Sequence, residues 1–145
     1  MKRHESLLCI SREHHTALLL AQVLKKDAPA FKGTPVHIPD KVAFLKASYH
    51  TNLKQHFHAE ENILFPFLAG KNNLIDELID DLIKDHNKLA ENIAMLDDHE
   101  DSEKLLDETG RLLELHIRKE ERVLFQKIQE VFSEEELIAL GKLFG

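Results

Sequence analysis

The sequence predicts an all-α protein: an up-down-up-down four-helix bundle with a short fifth helix packed on one end. Three observations predict it. Apolar residues recur at helical spacing over four long segments. Five Gly and four Pro leave little material for a turn-rich β fold. Most connections are short, as antiparallel helix neighbours require. At 145 residues and 43% apolar content, the chain reads as a single domain, residues 1–145, with a real core.

The first helix covers roughly 4–27, with its stripe on Leu7, Ile10, His14, Ala17, Ala21 and Leu24. It stops before Asp27-Ala-Pro29. Residues 29–39 form the one long loop, fixed by three prolines and Gly33. Asp40 can cap the second helix, roughly 40–69. The stripe there is Val42, Leu45, Tyr49, Leu53, His56, Glu60, Ile63 and Phe67. Pro66 lacks a backbone donor and should kink or tighten the last turn, and Gly70 is a natural stop.

The third helix starts at Asn72 or Asn73 and runs to about Leu96. Its stripe is Ile75, Ile79, Leu82, His86, Leu89, Ile93 and Leu96. The acidic string from Asp97 to Asp101 is a turn. The fourth helix runs from near Ser102 to about Val131, with a stripe on Leu105 or Leu106, Thr109, Leu113, His116, Glu120 and Val123 or Leu124. Ser133 followed by Glu136 is a capping-box pattern that opens the fifth helix, 133–144.

Charge and composition exclude several classes. A net charge of −7 argues against nucleic-acid binding, which needs clustered Lys and Arg. No apolar run approaches the length of a membrane span. The N-terminal stretch does not read as a signal peptide. The single Cys9 excludes an intramolecular disulfide, fits a reducing cytoplasm and is expected in the core.

The chemistry lies in the polar residues that interrupt the stripes. HFHAEENILF, residues 56–65, and HIRKEERVLF, residues 116–125, share one pattern. On a helix, His and Glu four apart lie on one face. The spacing alone is weak: His99 and Glu103 share it in an acidic turn and belong to solvent. His56/Glu60 and His116/Glu120 instead fall inside apolar stripes, where polar groups need partners. His14 and His86 interrupt the stripes of the other two helices. With a rise of about 1.5 Å per residue, all six reach one depth within about a turn.

Four imidazoles and two carboxylates in an apolar bundle fit a pair of metal ions. A donor set of nitrogen and oxygen without thiolate fits iron, manganese or zinc. Two carboxylates shared by four His suggest a bridged dinuclear site, with two His per metal and open positions left over. The acid before each single His, Glu13 and Asp85, extends the repeat into two similar helix pairs.

Glu13-His14, HFHAEENILFP, Asp85-His86 and HIRKEE, in that order and spacing, resemble the hemerythrin-like, or HHE cation-binding, family. The resemblance covers nearly the whole chain. It implies a four-helix bundle with a non-haem di-iron site, oxo- or hydroxo-bridged. Its ligands carry over to His14, His56, Glu60, His86, His116 and Glu120. The oxygen carriers of that family have a second His one turn after the ligand on the third helix, where this chain has Ala90. They end on His-x-x-x-x-Asp, where this chain has His-x-x-x-Glu. The four-His, two-Glu set resembles the branch linked to iron sensing and to repair of iron centres. Ferritin-like bundles use Glu-x-x-His, and no His here has Glu three residues before it.

Three functions follow from this reading. The first is binding or sensing of O2, NO or iron. The second is a di-iron enzyme acting on NO, peroxide or O2, or donating iron for repair. The third is a structural metal-binding bundle. His15 is the alternative ligand on the first helix. Tyr49 lies too far from His56 to ligate and reads as core. Glu61 and Glu121 either support ligand rings or face solvent. His4, His37, His50, His58 and His99 read as surface.

Overall fold

The computed structural model describes residues 2–29, 33–97 and 101–145. Five helices carry this part of the chain: α1 Glu5–Leu24, α2 over 38–68, α3 Asn73–Met95, α4 over 102–131 and α5 Glu134–Leu143. No strand occurs among the described residues. No described helix is long and apolar enough to cross a membrane. His99, most of the acidic turn and part of the long loop lie outside the described residues.

The ends follow local chemistry. Asn72 caps α3 by accepting from the Ile75 N–H, and Asp101 caps α4 by accepting from Lys104. Ser133 and Glu136 form the full capping box at α5. Gly70 follows α2 with φ 82°, the left-handed conformation that suits a glycine stop. Two expectations fail. Asp40 does not cap α2: the helix starts at Ile38, with His37 at the cap position and Pro39 in the first turn. Proline fits there because its missing N–H has no partner to lose. His4 is not a free surface residue, since its ring caps α1 through the Ser6 N–H and contacts Glu134.

α2 and α4 are not uniform α-helices. The turns Tyr49–Leu53, Glu60–Leu64 and Glu120–Leu124 are π turns, one residue wider than an α turn. Two of them begin at the Glu of a repeated decamer. Pro66 is not the cause, because Gln126 holds its place in the second copy and the turn is the same. The extra residue moves the buried stripe. Leu64, Phe65 and Leu68 are buried instead of the expected Ile63 and Phe67. Leu124 is buried while Val123 is exposed.

The core divides into two apolar clusters. One gathers Leu7, Ile10, Leu64, Leu68, Ile75, Leu82, Leu124 and Ile128 with Leu137 and Leu140 of α5. The other gathers Ala17, Ala21, Leu24, Leu45, Leu53, Leu89, Ile93, Leu106, Leu113 and Ile117. Along each of the four long helices a polar ligand candidate falls between the two clusters. α1 lies close against α4 at Gly110, where an added Cβ would meet the Ala21 carbonyl at 2.8 Å.

Candidate metal centre

The six singled-out residues all reach this polar layer. His14, His56, Glu60, His86, His116 and Glu120 are buried, and Glu60, His116 and Glu120 are wholly so. They form two groups. His14, His56, Glu60 and Glu120 make one; His86, His116, Glu60 and Glu120 make the other. Within each group the candidate donor atoms lie within 4.8 Å of one another. Both carboxylates belong to both groups.

The donor atoms are short of partners. The Nε2 atoms of His14, His56 and His116, one oxygen of Glu60 and both oxygens of Glu120 are buried without a hydrogen bond. An orphaned buried polar atom costs about 1–3 kcal/mol, so a cluster of this size calls for a cation to satisfy it. The closest approach is His116 Nε2 to Glu120 Oε1, at 2.6 Å but poorly aligned. Sharing between the two carboxylates sets the electrostatics. Burial first, then the neighbouring Glu120 charge, raises the Glu60 carboxyl well above its usual range. Burial opposes ionisation of Glu120 most strongly, yet His116, Glu60 and His14 together outweigh it and pull that carboxyl down. His116 moves up against its burial because Glu120 and Asp85 stabilise its cation. His86 is lowered to about 3 by burial and by His116.

The other ring nitrogen of each His meets a carboxylate on a neighbouring helix. His14 Nδ1 is 2.9 Å from Glu121, and His56 Nδ1 is 2.6 Å from Glu13. His116 Nδ1 is 3.0 Å from Asp85. His86 Nδ1 is 3.3 Å from Glu61, without the alignment of a hydrogen bond. The four pairs run α1 to α2, α2 to α3, α3 to α4 and α4 back to α1, a closed circuit. A carboxylate on Nδ1 places the proton there and turns Nε2 inward as a donor. Glu121 is itself held by Arg3 and Ser11, and Asp85 by Lys119.

Rings of Phe wall the layer. Phe57 stacks on His86 at 4.0 Å between centroids, and Phe125 stacks on His14 at 5.5 Å. His15 is exposed, so the geometry favours His14 on α1. His37, His50 and His58 are exposed as expected, and Tyr49 packs on the edge of the second apolar cluster. Cys9 is exposed, against its expected burial, because it lies beside the α1 stripe rather than on it.

Fold and cluster together define a helical protein with a buried His/Glu site that fits metal cations. Residues 9–129 match the hemerythrin HHE cation-binding domain, and the chain belongs to that family. No curated protein and no solved structure matches the chain.

Proposed function

We propose that this protein holds two iron ions between the six residues and binds or senses a small diatomic ligand, O2 or NO, or iron itself. The observation that carries the reading is that two four-residue groups share Glu60 and Glu120. Glu60 and Glu120 would then be offered to both irons, and each iron would keep two His of its own. Four protein donors to each iron would leave room for an exogenous ligand. An iron pair supplies reversible redox chemistry there. Iron is favoured over zinc and manganese by the family and suits the nitrogen and oxygen donors.

The chain's own residues bind and orient. Glu121, Glu13, Glu61 and Asp85 hold the four rings by Nδ1, and Phe57 and Phe125 keep water from the layer. The up-down-up-down bundle belongs to this reading. It is supported by the first apolar cluster, which joins early residues of α1 and α3 to late residues of α2 and α4. The same reading takes the chain as one cytoplasmic domain with no nucleic-acid or membrane partner, in line with its charge of −7 and lone Cys.

The test is metal analysis with spectra after anaerobic Fe(II) loading. Two irons per chain are expected, with a charge-transfer band on O2 or NO that reverses when the gas is removed. His14→Ala should leave about one iron, whereas Glu60→Ala, which strips a donor from both groups, should leave almost none. Well under two irons in the unaltered protein sinks the dinuclear reading. Equal losses in the two variants sink the bridging roles.

A further inference from the structure

The repeat that builds the centre breaks down at one place, on the side facing solvent between α1 and α2. A cavity of about 250 Å3 lies there, lined by Glu13, Thr16, Ser48, Thr51, Asn52 and Gln55 and reaching His56. Thr16, Thr51, Asn52 and Gln55 are exposed, so the cavity opens to water. His56 is 4% exposed, and its Nε2 has no partner. Apart from His56, the polar lining is oxygen-bearing: one carboxylate, three hydroxyls and two amides. Among the described residues no Lys or Arg lines it.

The matching place between α3 and α4 is built differently. Shifting α1 onto α3 through His14 and His86, and α2 onto α4 through His56 and His116, pairs Glu13 with Asp85. Thr16 becomes Lys88, Thr51 becomes Arg111, and Asn52 and Gln55 become Leu112 and Leu115. Ala59 becomes Lys119, which sits 3.1 Å from Asp85 and seals it. The Asp85 side chain is 16% exposed, the Glu13 side chain 51%. The backbone differs as well. Residues 49–53 form a π turn, while 109–113 are regular helix. One half of the protein thus carries small oxygen donors beside an exposed carboxylate where the other carries Lys88, Arg111, Lys119 and two leucines, with Glu108 at the place of Ser48 as the exception.

We propose that this crevice is the loading route by which a hydrated divalent cation reaches the paired centre, with Glu13 passing it to the His14–His56 side. The proposal rests on the metal-centre reading above. Hard, partly hydrated cations such as Fe2+ are bound by neutral oxygens and a carboxylate, and the Glu13 carboxylate attracts them to the crevice. A second cavity of about 210 Å3 touches His86 on the α2–α3 side and also carries one carboxylate, Glu61, but there the Lys54 ammonium on the same lining opposes a cation.

Stopped-flow loading of the metal-stripped protein with Fe(II) alone, under anaerobic conditions, tests the route. Asn52→Lys places a cation in the mouth, and Ala59→Lys copies the Lys119 seal onto Glu13. Both should slow loading about tenfold or more, and Asn52→Asp should speed it, with both effects shrinking at high salt. All three should still reach two irons per chain and wild-type helicity. Asn87→Lys, at the second cavity, should load at the wild-type rate. Wild-type rates in Asn52→Lys and Ala59→Lys, or equal slowing in Asn87→Lys, overturn the route and leave the centre standing. Failure of the unaltered protein to reach two irons overturns both.

Discussion

Gly110→Ala is the sharpest test of how closely α1 lies against α4. A Cβ at position 110 would stand 2.8 Å from the Ala21 carbonyl oxygen and 2.9 Å from Leu24 Cβ. Ordinary contact needs about 3.5–4.0 Å between carbons, so one helix must move by several tenths of an ångström. Neither neighbour can rotate away, since one is backbone and the other a β-carbon. Overpacking of this kind costs about 1–3 kcal/mol. With both neighbours rigid the upper end applies, and the better helix propensity of Ala returns up to about 1 kcal/mol. The net loss is about 2 kcal/mol. Unfolding entropy of about 2.1 cal/mol/K per residue converts this to a fall in Tm of about 7 °C. The assay is thermal melting by circular dichroism, with Gly141→Ala as the control. At Gly141 the nearest atom is Ser6 Cβ at 3.2 Å, a milder approach, so that variant should stay within about 2 °C of the parent. A Gly110→Ala protein that melts at or above the parent temperature would refute the close approach and with it the placement of His14 against Glu120.

Three further outcomes follow from the site and the caps. His86 drops from 6.5 to about 3, so the unfolded chain takes up a proton that the folded chain refuses. Its contribution is present above pH 6.5 and is lost as pH falls from there toward 3. At pH 5.5 the loss is about 1.4 kcal/mol, and chelator-treated wild type should lose more Tm between pH 7 and 5.5 than His86→Gln does. Asp85→Asn loosens the His116 ring and should weaken one metal about 10–100-fold, read by chelator competition; two unchanged affinities would count against the support. Ser133→Ala removes the α5 capping box and should cost about 1 kcal/mol in a denaturant melt, with an unchanged midpoint as the contrary result.

The gathering of six polar residues in one buried layer was legible because burial of polar groups on an apolar stripe is a local pattern. Helical spacing reported it on each helix separately, and one depth joined the four. The wide turns were not legible. Nothing in HFHAEENILF or HIRKEERVLF marks a π turn, so spacing of 3.6 put Ile63 and Phe67 inward, where the added residue buries Leu64 and Leu68. For Glu61 and Glu121 the sequence left ring support and solvent exposure equally open. Each supports a ring on a different helix, and partners chosen across helices leave no period in one sequence. The acids before His14 and His86 were visible as a repeat, yet their crossing to His56 and His116 depends on packing alone. Asp40 and Cys9 went astray at a helix start and a stripe edge, where one residue of error reverses the reading.

The circuit of four acid–imidazole pairs also acts on the bundle as a whole. Each long helix is tied to both of its neighbours at mid-height, so none can slide along its axis without breaking two ties. Apolar side chains alone resist such sliding weakly, because a slipped Leu finds another Leu. The ties thus lock the vertical register that brings six donors to one level before any ion arrives. They are not equal. Three are aligned, and Arg3 and Lys119 brace two of those, while the tie from Glu61 to His86 is slack. The seam between α2 and α3 is held deeper down instead, where His86 Nε2 meets the buried Glu60 carboxylate at 3.0 Å.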